Sequence, residues 1–275
     1  DRMHQLNSID PELAGVRTRN LPVYHGPDAL LDALKLLRTE ILEVSSQMEA
    51  SQEMSKTVFQ KIVATGLLRA LHPTELGGAE YRAPDMLPLI EEIARADGST
   101  AWSFMVAAEM PALFQRFPES VLKKVFSGNC DILARAPLTP KAGSVKVDGG
   151  YLVSGTWPLA SGSYEADWFI VGGFVADQKA SNDPQPSDGP ELRMFLVPAT
   201  EVKIMNNWSS IGLRSTDSHD IEIDNIYVSE EYSAVFTANS PHAEELGVPL
   251  IRRLSFYTSM GPLHLGVVLG LARAM

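Results

Sequence analysis

The chain has 275 residues, of which 45% are hydrophobic and 21% charged, and its net charge is -11. That is enough apolar material for one large domain or two, each with a real core. The acidic balance argues against a nucleic-acid groove or an anionic membrane surface as the main partner, and solubility accounts for it.

Residues 1–26 lack periodicity and read as an arm. Asp28 can cap a helix with an apolar stripe of Leu30, Leu31, Leu34, Leu37, Ile41 and Val44. Ser55 opens a second helix through Val58, Phe59, Ile62 and Val63, ended by Gly66. Pro84 and Asp85 start a third, with Leu87, Leu89, Ile90 and Ile93 facing inward. Ser99 begins a fourth, through Trp102, Phe104, Met105 and Val106, where Trp102 reads as core. Pro118 sits in the first turn of a fifth, Glu119 to Phe126. The span 27–130 is therefore expected to be a helical domain.

The texture changes near Asp131. Short β-rich runs follow at Ser144–Val147, Tyr151–Ser154, Trp168–Val175, Arg193–Val197 and Asp220–Val228, separated by Gly, Pro, Asn and Asp clusters. The pattern predicts a small antiparallel barrel or sandwich over 131–235. Ala176 to Pro190 reads as an exposed hairpin excursion. Helical texture returns over 236–275. Its last segment, Gly261 to Met275, is apolar on nearly every side and needs cover from other helices. Its core stripe is expected to be Leu263, Val267, Leu269, Gly270 and Leu271, with Gly261, Gly266 and Gly270 allowing close helix approach. The fold class is α+β.

The most informative segment is Tyr151 to Trp168. It starts as a strand after the Asp148-Gly149-Gly150 turn, breaks into a loop around Trp157-Pro-Leu-Ala-Ser161-Gly-Ser, and resumes at Trp168. Such a loop brings an aromatic wall and a hydroxyl together, the pairing that a flavin ring requires. A wide loop with a buried Trp explains the same residues. Arg214 lies in a loop rich in hydrogen-bonding groups. It suits a phosphate, a flavin carbonyl edge or a substrate anion, or else a salt bridge to Asp217 or Asp220. The single cysteine, Cys130, excludes an internal disulfide framework and reads as core. The six histidines lack paired ligand spacing, so no metal site is expected, and His219 reads as a solvated loop residue. No signal-peptide order and no membrane-length apolar run is present, which makes a cytoplasmic enzyme the expectation.

Four stretches in register carry a resemblance. They are Leu71-His-Pro-Thr-Glu-Leu-Gly-Gly78, Ile90 through Trp102, Ser154-Gly-Thr-Trp-Pro-Leu-Ala-Ser161, and Trp208-Ser-Ser-Ile-Gly-Leu-Arg214-Ser-Thr-Asp-Ser-His-Asp220. Together they resemble the acyl-CoA dehydrogenase superfamily, nearest in pattern to its two-component monooxygenases, which use externally reduced flavin. The resemblance implies an N-terminal helical domain, a central β domain and a C-terminal helical bundle. On that pattern the chain reads as truncated after the first bundle helix, unless another subunit covers it.

The resemblance also implies roles. Ser161 would hydrogen-bond the flavin N5 region and stabilise a C4a-hydroperoxyflavin, with Ser163 and Ser154 as weaker candidates. Trp157 would shield the ring from water. Arg135 and Leu138 would line the pyrimidine side, and Arg214 joins Ser161 as a catalytic candidate. The cofactor would be reduced FMN or FAD with O2 as co-substrate. A separate NAD(P)H:flavin reductase, a small organic substrate and a homodimer or homotetramer complete the expected set, without nucleic acid or membrane. Arg135-Ala-Pro-Leu-Thr139 lacks the Glu of the dehydrogenases' Thr-Glu-Pro run, which favours the oxygenase branch. Met110 stands where many aromatic hydroxylases of that branch have a His. An FAD-dependent acyl-CoA dehydrogenase and a non-catalytic flavin-fold binding module are the alternatives.

Overall fold

The computed structural model describes residues 26–127, 129–137, 142–176, 191–237, 239–240, 242–248 and 250–275. The expected arm, the hairpin excursion after Ala176 and Leu138 lie outside the described residues.

The helical half contains α1 (Pro27–Ser51), α2 (Lys56–Ala64), α3 (Met86–Ala94), α4 (Gly98–Ala108), α5 (Pro111–Phe114) and α6 (Glu119–Val125). Leu30, Leu34 and Ile41 of α1 are almost fully buried. Each contributes about 1.5–3 kcal/mol on leaving water. The expected stripes of α1 and α2 thus face the core, although Gly26, not Asp28, occupies the N-cap of α1. Ser55 caps α2 by accepting from the Val58 amide. For α4 the cap is Asp97, whose carboxylate accepts from the Thr100 amide at 2.7 Å, two residues before the expected start. In α3 it is Met86 that is buried, while Leu87 is only half-buried. The short α5 was not anticipated.

The strands are β1 (Ala134–Arg135), β2 (Ala142–Val147), β3 (Gly150–Ala160), β4 (Trp168–Ala176), β5 (Leu192–Pro198), β6 (Lys203–Ile204), β7 (His219–Ser229) and β8 (Ser233–Val235). They form one eight-stranded sheet in the order β6-β7-β3-β2-β4-β5-β8, with β1 beside β4. The sheet is antiparallel except where β4 meets β1 and β2, both of which run parallel to it. The segment after Gly155 does not leave the sheet as expected. It stays in β3 through register shifts against β7, between Val153 and Gly155 and between Trp157 and Ala160. The second shift leaves Pro158 and Leu159 in a bulge, where a missing proline N–H costs no ladder bond.

Finally, α7 (Leu250–Arg253) leads into α8 (Phe256–Ala274). Phe256 and Met260 at the start of α8 belong to the core of the sheet, while Leu263 and Val267 belong to the helical core. One helix therefore spans both cores. A Cβ on Gly266 would lie 2.8 Å from the Leu87 carbonyl oxygen, and one on Gly270 would collide with Ala94, so α8 rests directly on α3. Gly261 has open space and no such role. The other expected stripe members are less covered: Leu269 is half-buried and Leu271 exposed, as are Tyr257, Leu265 and Val268.

The loop at residues 72–78 has a chemical consequence. His72 is buried against Phe114 and Phe126, its Nδ1 without a hydrogen-bond partner, and desolvation lowers its pKa to about 3. The unfolded chain protonates this imidazole near 6.5, so stability is present above that pH and is lost as pH falls toward 3. At pH 5 the loss is about 2 kcal/mol. Urea unfolding at pH 5 and pH 7.5 should show His72→Leu relieved of that increment relative to wild type.

Candidate active site

A pocket of about 180 Å³, open to solvent on one side, lies where the two cores meet. One wall comes from the sheet: Arg135 at the end of β1 with Ala136 after it, and Pro158 and Leu159 near the end of β3 with Ser161 just past it. The bulge produces this wall. Leu159 sits at φ 61 and is 60% exposed, a costly arrangement for an apolar residue. The opposite wall comes from Trp102, Val106, Glu109, Met110 and Leu113, one face of the α4–α5 run. Phe256, Met260 and His264 of α8 close the end.

Ser161 stands on the floor in a chain of hydroxyls. Trp102 Nε1–H donates to Ser161 Oγ at 3.0 Å. Ser161 Oγ lies 2.8 Å from Ser218 Oγ, which lies 2.6 Å from Thr216 Oγ1. Thr216 Oγ1 donates to the Leu213 carbonyl at 2.9 Å. A hydroxyl has one proton, so this last bond sets the direction of the whole chain. Ser218 must donate to Thr216, and Ser161 must donate to Ser218. Ser161 is left with one free lone pair and no free proton.

Arg135 locks the turn beneath. Its guanidinium is buried, Nε donating to the Gly162 carbonyl and Nη1 to the Ser103 carbonyl, each at 3.0 Å. Burial lowers its pKa to about 10, opposed by Glu165, Asp167 and Asp217, so it stays charged at neutral pH. Asp217 is pushed up to about 6 by burial and by Glu53 and Glu165, with Arg135 pulling the other way. Ser163 does not line the pocket; its hydroxyl donates to the Asp217 carbonyl at 3.0 Å and fastens the same turn.

Two expected site residues lie elsewhere. Trp157 is fully buried in the sheet core, where its Nε1–H donates to the Gly172 carbonyl at 2.7 Å. Strand alternation turns it away from the neighbouring Pro158, so Pro158 and Leu159 supply the apolar wall. Arg214 faces α1: Nε donates to the Glu49 carbonyl at 3.1 Å, and the Glu49 carboxylate is 3.9 Å away. Neither Asp217 nor Asp220 is its partner. His219 is also buried rather than solvated, its Nδ1 accepting from the Trp208 amide at 2.8 Å.

The pocket also contains groups that sequence reasoning passed over. Trp102 is a wall residue and a donor rather than plain core. Glu109 is 4% exposed, and desolvation raises its pKa well above the carboxylate range. Its Oε2 has no hydrogen-bond partner, and His264 Nδ1 is 3.5 Å away. The signal was available: Trp102, Val106, Glu109 and Leu113 share one helical stripe, and a carboxylate interrupts it. Among the described residues, no cluster could hold a metal ion, and no helix is long and apolar enough to cross a membrane.

Comparison with known proteins agrees with this architecture. Residues 31–126 match the acyl-CoA dehydrogenase N-terminal domain. The indole-3-acetate monooxygenase of Pseudomonas putida is 31% identical over 253 residues, covering 90% of this chain and 59% of that protein. The oxygenase subunit HsaA of a flavin-dependent monooxygenase from Rhodococcus jostii is 28% identical, covering 78% of this chain and 52% of its own. The chain thus spans about half the length of the curated relatives it matches. Among solved structures, XiaF from Streptomyces sp. in complex with FADH2 and glycerol superposes with a TM-score of 0.82 at 22% identity, over 90% of this chain and 61% of that one. The HsaA monooxygenase from M. tuberculosis gives 0.82 at 22%, over 91% and 67%. Residues 31–126 thus carry an acyl-CoA dehydrogenase N-terminal domain, and the chain's relatives include an indole-3-acetate monooxygenase and the oxygenase subunit of a flavin-dependent monooxygenase.

Proposed function

We propose that this chain is the oxygenase component of a two-component monooxygenase. It acts in the cytoplasm, where a separate NAD(P)H:flavin reductase supplies it with reduced FMN or FAD. Reduced flavin, when bound, provides the electrons that activate O2 for transfer of one oxygen atom to a small organic substrate. The residues present fit such a group. Pro158 and Leu159 offer an apolar face for a flat ring, and Ser161 offers a polar contact at its edge. Arg135, Ser163 and Asp217 hold the Ser161 turn in place. Trp102 fixes the Ser161 hydroxyl and helps exclude water from the pocket. The exposed apolar face of α8 supports assembly into a homodimer or homotetramer.

The direction of the hydroxyl chain is the observation that carries this reading. Ser161 can accept but not donate without breaking its bond to Ser218. A reduced flavin carries a proton on N5, whereas an oxidised flavin presents a bare acceptor there. A site with a committed acceptor therefore discriminates in favour of the reduced form. Anaerobic titration by tryptophan fluorescence tests this. FMNH2 or FADH2 should bind at least about tenfold more tightly than the oxidised form, the value of one such hydrogen bond. Equal affinity for both forms would contradict the reading.

A further inference from the structure

The pocket has a second polar group, outside the hydroxyl chain. Glu109 is 4% exposed, lines the pocket and has an unpartnered Oε2. The groups around it are apolar: Val106, Met110 and Leu113 on its own helical run, and Phe256 and Met260 on α8. Among the described residues, the titratable group within ion-pair distance of Glu109 is His264. Its Nδ1 lies 3.2 Å from the Met260 carbonyl and 3.5 Å from Glu109 Oε2, and its ring stands edge-on to Trp102 at 6.0 Å between centroids. Nδ1 is thus shared with a backbone acceptor and leaves Glu109 incompletely satisfied.

An unpaired carboxyl in an apolar pocket is unfavourable unless a ligand completes it. We propose that Glu109 is a specificity-determining residue. It receives the single N–H or O–H donor of a small, flat, otherwise apolar aromatic or heteroaromatic substrate, and His264 positions the carboxyl. The apolar walls hold the ring and the carboxyl sets its rotation, which decides which ring atom faces the Ser161 side. An analogue of the same shape without the donor leaves Glu109 unpaired and is rejected on that account. This inference rests on the monooxygenase reading for the meaning of the word substrate, but its test does not need turnover.

Indole, 1-methylindole and benzothiophene are suitable probes: all are flat bicyclic rings, and only indole has the N–H. Binding to the whole protein is measured by calorimetry without flavin. Wild type should bind indole about tenfold more tightly than benzothiophene, as one hydrogen bond to a carboxyl predicts. Glu109→Gln retains an acceptor and should keep most of the preference. Glu109→Leu should abolish it by weakening indole while leaving benzothiophene equal or tighter. Equal binding of indole and benzothiophene by wild type, failure of indole to bind, or a preserved preference in Glu109→Leu would overturn the proposal. Loss of the reduced-flavin preference in wild type would count against the monooxygenase reading instead, so the two failures are distinguishable.

Discussion

Gly162→Ala should lower stability by about 3 kcal/mol and disable the pocket. Two costs combine. Gly162 sits at φ 69, where an L side chain costs about 1–2 kcal/mol. A Cβ there would also lie 2.5 Å from Nη2 of Arg135. That guanidinium cannot move aside freely, because it is buried and holds the Gly162 and Ser103 carbonyls. Overpacking at a fixed neighbour adds about 1–3 kcal/mol. Relief requires the turn to shift, and the turn carries Ser161 next to Gly162. Urea unfolding should show the loss of stability, and anaerobic titration should show the loss of reduced-flavin preference. A change below about 1 kcal/mol would mean that the turn is softer than its contacts imply.

Ser161→Ala should leave the fold intact and speed the unproductive reoxidation of bound reduced flavin about ten- to a hundredfold. The substitution removes one hydroxyl at the pocket floor, and a hydrogen bond of this kind is worth about 1–3 kcal/mol. It also leaves Trp102 Nε1–H and Ser218 without their shared partner. Ser218→Ala gives an informative contrast. It frees the Ser161 proton, so Ser161 can donate, and the discrimination between flavin redox states should fall while Ser161 remains. Rapid-mixing absorbance of reduced flavin with aerated buffer reads the rate in Ser161→Ala, and anaerobic titration reads the discrimination in Ser218→Ala. An unchanged rate in Ser161→Ala would move the role to another group.

Much of this was legible in the sequence because it follows from local physics. Helical stripes such as Leu30-Leu34-Ile41 and Val58-Phe59-Ile62 face the core as the 3.6-residue period dictates. Gly78 in the Pro-x-x-x-Gly-Gly turn is equally readable, since a Cβ there would collide with the His72 carbonyl. The loop composition around Ser161 singles out a residue that lines the pocket. What escaped depends on partners distant in the chain. Pro158 inside a strand suggests a loop until β3 is known to bulge against β7. Trp157 and Trp102 exchange their expected settings because strand alternation turns one into the sheet core, while helix rotation brings the other onto Ser161. Arg214 finds a helix C-terminus in place of a ligand. Glu109 and His264 meet only because α8 folds back across α4.

Under the proposed function, this pocket manages the reaction of reduced flavin with oxygen. The most direct test is a stopped-flow trace of reduced FMN and FADH2 mixed with aerated buffer, with and without a molar excess of the protein. The account predicts that with one of these flavins the protein delays the appearance of oxidised flavin, in a distinct phase slower than for free flavin and shortened by Ser161→Ala. Reoxidation of both flavins at the free-solution rate, whatever the protein concentration, would contradict it.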